Sequence, residues 1–135
     1  MFEKPSVSKK SSHSILVVDD NHLIRKLIAR AFELEAWRVT ECNNAEDAMG
    51  QVLERATPFT AIVTDVKMPG MSGSDFVSAL TQTRLRNDTI LAVITGAAND
   101  LERTTIDIFE PDLFLEKPFE VDDLVSKVIE LTDPA

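Results

Sequence analysis

Three short apolar runs constrain the fold more than any other feature: SILVVDD (residues 14–20), FTAIVTD (59–65) and TILAVITG (89–96). Each is rich in Val and Ile and apolar almost throughout. A strand with one wet face alternates apolar and polar side chains, whereas an unbroken run needs cover on both faces, as in a parallel sheet. Two weaker strands are expected at WRVTEC (37–42) and DLFLEK (112–117).

Helical patterns lie between the strands. In residues 21–35, Ile24, Leu27, Ile28, Ala31 and Phe32 recur at helical spacing, with Arg25, Lys26, Arg30 and Glu33 on the remaining surface. Residues 44–55, 72–84 and 121–131 read the same way, the last through a stripe of Leu124, Val125, Val128 and Ile129. Asn44 and Ser72 are predicted N-caps, because their short polar side chains accept hydrogen bonds from the free amides of a first turn. Residues 98–109 read as a further helix, weakened by a Thr-Thr pair and followed by Pro111. Strand and helix thus alternate, which predicts an α/β fold: a doubly wound parallel sheet with helices on both faces and right-handed crossovers. Ligands of such folds sit outside the carboxyl ends of the strands, where the strand order reverses.

The chain has 135 residues, 44% of them hydrophobic, enough for one domain with a real core. We divide it into a Ser-rich, disordered leader (1–13), the domain (14–131) and a short tail (132–135). A net charge of -9 argues against nucleic acid and anionic membranes as partners. No apolar run reaches membrane-spanning length, and the N-terminus lacks an apolar signal core, so a cytoplasmic location is expected. The single cysteine, Cys42, excludes an internal disulfide and a cysteine-based zinc site.

The polar residues that close the strands carry the chemistry. The first run ends in Asp19 and Asp20, the third strand in Asp65, the fourth in Thr95-Gly96 and the fifth in Lys117-Pro118. Singly, each has an ordinary explanation: Asp20 with Asn21 as a helix cap, Thr95-Gly96 as a strand exit, Lys117 as a surface lysine, Pro118 as a helix-start proline. If the strands are parallel, however, all converge on one sheet edge. Three crowded carboxylates repel, and one of them titrates high unless a cation intervenes. Oxygen-only ligands in an open site suit Mg2+, which also accepts phosphate oxygens. Lys117 then offers a point charge to an anion and Thr95 a neutral donor. This equipment fits phosphoryl transfer, in which a carboxylate can be the nucleophile.

On these residues the sequence closely resembles the receiver domain of two-component response regulators, over about residues 14–131. The resemblance rests on Asp19-Asp20, on DVKMPGMSG (65–73), on Thr95-Gly96 and on FLEKPF (114–119). It implies the five-stranded flavodoxin-like sheet in order 2-1-3-4-5. It further implies that Asp65 accepts a phosphoryl group from a phosphohistidine on a histidine kinase or histidine phosphotransfer protein. Mg2+ would be held by Asp20, Asp65 and the backbone carbonyl of Lys67, with Asp19 acting through a water. Lys117, across a cis bond to Pro118, would pair with the phosphoryl group. Thr95 and Phe114 would be the switch residues, and a downstream protein would dock on the face of the fourth helix, fifth strand and fifth helix. If the contacts from Thr95 and Lys117 form only after phosphorylation, they supply roughly 3–6 kcal/mol, against about 5.5 for a near-complete population shift.

Two features depart from that family pattern or qualify it. Residues 108–112, IFEPD, replace a small-residue turn, and Lys67 and Ala97 occupy positions that tune the lifetime of the phosphoryl group. His13 and His22 are expected to face solvent, Met68 and Met71 to pack in a loop, and Trp37 to be structural. A stand-alone receiver, signalling by contact or by onward phosphotransfer, is the leading reading. The alternative is a Mg2+-dependent phosphohydrolase with an aspartyl-phosphate intermediate, which needs an acid/base Asp where Lys67 stands. A flavodoxin-like nucleotide binder would need a Gly-rich phosphate loop after the first strand, and none is present.

Overall fold

The apolar runs become the centre of one sheet. The computed structural model describes residues 12–65, 73–81, 88–96 and 110–132. Within them, β1 (Ser14–Val18), β2 (Arg38–Cys42), β3 (Ala61–Asp65), β4 (Ile90–Thr95) and β5 (Leu113–Glu116) pair in the order β2-β1-β3-β4-β5. Every pairing is parallel. The helices are α1 (His22–Leu34), α2 (Ala45–Glu54), α3 (Gly73–Thr81) and, after β5, α4 (Val121–Thr132). The chain runs outward from β1 to β2 and then returns across β1 to β3, so the order reverses between β1 and β3. This is the doubly wound sheet that the alternation of runs predicts.

Successive residues of the central strands point to opposite faces, and each face has its own core. Ile15, Val17, Val63 and Ile94 pack with Ile28 and Phe32 of α1 and with Leu124 and Val128 of α4. Leu16, Val18, Ile62 and Val93 pack with Ala48 and Val52 of α2 and with Phe76 and Leu80 of α3. Both faces of β1 and β3 are fully covered, which explains why these runs carry no polar alternation. The stripe expected on α1 is narrower than drawn, since Leu27 is exposed.

Helix ends follow from local chemistry. Asn21 caps α1, its side chain accepting from the Ile24 amide at 3.0 Å, and Asn44 caps α2, accepting from Asp47 at 2.7 Å. The predicted cap Ser72, the helix at 98–109, Met68, Met71 and residues 1–11 of the leader lie outside the described residues. α1 closes with paired bonds, Ala36 N–H to Glu33 O and Trp37 N–H to Phe32 O. This closure places Ala36 at φ 65, a left-handed conformation more natural to glycine.

Two expectations for single residues need correction. His13 does not simply face solvent: it is half-buried, its ring lies 4.9 Å from that of Trp37, and its carbonyl accepts from Arg38 N–H. The cause is Trp37, a buried side chain between α1 and β2 that needs cover and receives it from His13 and Phe32. Arg25, expected on the open surface of α1, has a side chain only 12% exposed. His22 is exposed, as expected.

Candidate functional site

Parallel register brings the strand ends together. Val18 pairs with Thr64, so Asp19, the next residue along, emerges beside Asp65. Asp65 pairs with Ile94, which precedes Thr95, and Thr95 pairs with Glu116, which precedes Lys117. The amide of Lys117 donates to the Thr95 carbonyl at 2.7 Å, fixing the exit of β5 against β4. The Lys117–Pro118 peptide is cis.

Lys117 ties the cluster. Its Nζ lies 2.8 Å from Asp65 Oδ2 and 3.2 Å from Asp19 Oδ2. Asp19 and Asp65 are both buried, at 0% and 4% exposure, whereas Asp20 is exposed at the mouth. Carboxylate oxygens of Asp19, Asp20 and Asp65 all lie within 4.8 Å of one another. Burial pushes the Asp19 carboxyl above its ordinary value; the bond from Asn21 N–H works against this, Asp65 adds to it, and Lys117 opposes it. For Lys117, burial alone acts to lower the ammonium, but the hydrogen bond and charge of Asp65, aided by Asp19, leave it raised.

Thr95 completes the site by what it lacks. Its Oγ1 is fully buried and makes no hydrogen bond to any described residue. Unpaired buried hydroxyls are uncommon because their desolvation is uncompensated. Phe114 sits on β5 opposite Val93 and packs, half-buried, on the α2–α3 core rather than among the carboxylates. Lys67 and Ala97 lie outside the described residues. Two buried carboxylates therefore share one ammonium, and with Asp20 beside them they form an all-oxygen donor set suited to a hard divalent cation. A separate open groove of about 560 Å³ runs between α1, the end of β2 and α2 and contains none of these carboxylates.

The family model for the response regulator receiver domain matches residues 15–129. This chain belongs to that family. As a receiver domain it is 30% identical over 114 residues to the response regulator receiver protein CpdR of Brucella abortus, covering 84% of this chain and 92% of that protein. It is 32% identical to the transcriptional regulatory protein YvrH of Bacillus subtilis, covering 85% of this chain but 47% of that one. The receiver thus spans nearly the whole of the first relative and about half of the second. A response regulator receiver protein from Pseudomonas putida superposes with a TM-score of 0.80 at 21% identity, over 87% of this chain and 96% of that one, which shows the shared fold.

The function is accordingly that of a signalling receiver in two-component systems, and the phosphohydrolase alternative is not favoured. Receiver domains bind Mg2+ at an acidic cluster of the kind formed by Asp19, Asp20 and Asp65, and they interact with histidine kinases or phosphotransfer proteins. Among the described residues, no helix is long and apolar enough to cross a membrane. Sequence reasoning found the carboxylates, Thr95 and Lys117 because each closes a strand. It missed Arg25 and Glu41, whose contacts around Asp19 depend on how α1 lies across β2.

Proposed function

We propose that Asp65 is the phosphoacceptor of this receiver, and the observation that carries the reading is the Lys117 Nζ contact at 2.8 Å beside the unpaired Thr95 hydroxyl. One carboxylate oxygen of Asp65 attacks the phosphorus of a phosphohistidine. The new O–P bond forms as the P–N bond breaks, and the bonding pair leaves with the imidazole nitrogen. Lys117 moves from the Asp65 oxygen to the incoming phosphoryl oxygens and neutralises them. Thr95 Oγ1 donates to one of those oxygens, giving the buried hydroxyl the partner it otherwise lacks.

Asp20 and Asp65, with the Lys67 carbonyl and with Asp19 through water, would hold Mg2+. When bound, the ion supplies further charge neutralisation at the phosphoryl oxygens. The same groups promote the chain's own phosphorylation and dephosphorylation. Engagement of Thr95 draws on Phe114, the neighbour of its strand, as the switch aromatic. The output then passes to a protein on the face that carries β5 and α4, or onward by phosphotransfer. Exchange with a kinase phosphohistidine sets the work of this chain in the cytoplasm.

The test is intact-mass spectrometry after incubation with Mg2+ and acetyl phosphate. We expect one base-labile phosphoryl adduct on the native chain and none on Asp65→Asn. Equal labelling of the variant overturns the assignment. Lys117→Ala is expected to retain some labelling while losing the response to it.

A further inference from the structure

We infer that Arg25 is a positioning residue for the metal-binding carboxylates: its guanidinium fixes the peptide plane that joins Asp19 to Asp20. The inference rests on the Mg2+ reading above, and it concerns a residue that touches neither the metal nor the phosphoryl group.

An arginine on an amphipathic helix normally extends into water. Arg25 instead folds back and uses all arms of its fork. Nε lies 3.1 Å from Glu41 Oε1, Nη1 donates to the Asp19 carbonyl at 2.9 Å, and Nη2 lies 3.1 Å from His22 Nδ1. Glu41 is held in turn by Lys26 at 3.1 Å and stands one residue before the end of β2. From that last residue, the Cys42 carbonyl accepts the Asp19 N–H at 3.2 Å. Both backbone groups of Asp19 are therefore anchored to the end of β2, one directly and one through Arg25.

The consequence follows from peptide geometry. The Asp19 carbonyl and the Asp20 N–H belong to one planar unit, so holding the oxygen fixes the direction in which Asp20 leaves. Asp19 is buried and has further side-chain bonds from Asn21 and Lys117. Asp20 is exposed, so its backbone sets its aim toward Asp19 and Asp65. Lysine cannot replace the arginine here, because a point charge cannot span the Glu41 carboxylate and the Asp19 carbonyl at fixed angles.

Position and charge predict opposite outcomes. Removing a positive charge near a cation site strengthens cation binding by Coulomb's law alone. Loss of the anchor weakens it, by about tenfold on the scale seen for groups that orient metal ligands. The experiment is calorimetric titration of the metal-free full chain with MgCl2 at constant ionic strength, for the native protein, Arg25→Lys, Arg25→Ala and Glu41→Gln. Circular dichroism confirms that each variant folds.

We expect both Arg25 variants to bind Mg2+ about tenfold more weakly and Glu41→Gln to weaken it by less. Native or tighter affinity in Arg25→Lys overturns the inference. Amide spectra of the metal-free proteins give an independent readout: the Asp20 resonance is expected to move in Arg25→Lys. If the native chain takes up no Mg2+, the metal reading fails, and these spectra decide the role of Arg25 by themselves. An Asp20 amide that stays in place then refutes it.

Discussion

The two edges of the sheet treat buried polar groups in opposite ways. At the amino edge each is satisfied within the protein. Thr60 Oγ1 accepts from the Ser14 amide, Arg55 donates to Ser14 Oγ, Thr89 Oγ1 donates to the Phe59 carbonyl, and Asp112 accepts from the Leu91 amide. At the carboxyl edge two carboxylates share one lysine, and the Thr95 hydroxyl has no partner among the described residues. The same strands run through both edges, so the difference does not come from the fold. On the proposed function, polar groups at one edge serve stability, while those at the other await an incoming group.

The largest stability change should come from the satisfied edge. Thr89→Val strands the buried Phe59 carbonyl and is expected to destabilise by about 1–3 kcal/mol in urea unfolding, with phosphoryl labelling of Asp65 unaffected. A labelling defect at full stability would mean that the edges are not separable.

Asp19→Asn should act in the opposite direction. Folding raises the Asp19 carboxyl above its ordinary 3.8, because the buried site favours the protonated form. That contribution to stability is complete below pH 3.8 and disappears as the pH rises through the raised folded value. The uncharged variant escapes the loss, so its melting temperature in EDTA should overtake that of the native chain as the pH rises toward neutrality. Added Mg2+ should narrow the gap by stabilising the native chain more than the variant, which keeps Asp20 and Asp65 but lacks the Asp19 charge. A variant that melts below the native protein at pH 7 would contradict this.

Ala36→Gly tests strain at the amino edge, where no chemistry needs it. Relieving the left-handed alanine is expected to gain about 0.5–1 kcal/mol, after allowing for the freedom glycine adds to the unfolded chain. Labelling should not change. The smallest loss is expected for Thr95→Val, which forfeits no hydrogen bond and removes an unpaired buried hydroxyl, so its stability should equal or slightly exceed that of the native chain. Its phosphorylation-dependent response should nevertheless be abolished. A marked destabilisation would show that the hydroxyl already has a resting partner.

The sequence made the sheet legible through runs whose uniform apolarity admits cover on both faces only. It made most of the site legible because parallel strands of matched length carry their last residues to one edge. Which of the adjacent Asp19 and Asp20 is buried was not legible, since the distinction depends on β1 stopping at Val18 and turning. Helical periodicity placed Arg25 on a polar face, and it cannot show that the side chain bends back to β2. The packing of His13 was hidden for a related reason: the ring it covers belongs to Trp37, whose burial is set by the closing turn of α1.

The bond from Lys117 to Asp19 joins residues 98 positions apart. Lys117 also follows β5, an outer strand that reaches the centre of the sheet only through β4. A chain emerging from the ribosome carries Asp19 and Asp65 long before it carries their cation. During that interval the half-built domain holds its acidic residues without the group that gathers them. The cluster is therefore complete only once the last strand has docked, and Lys117 is the last of its charges to be synthesised.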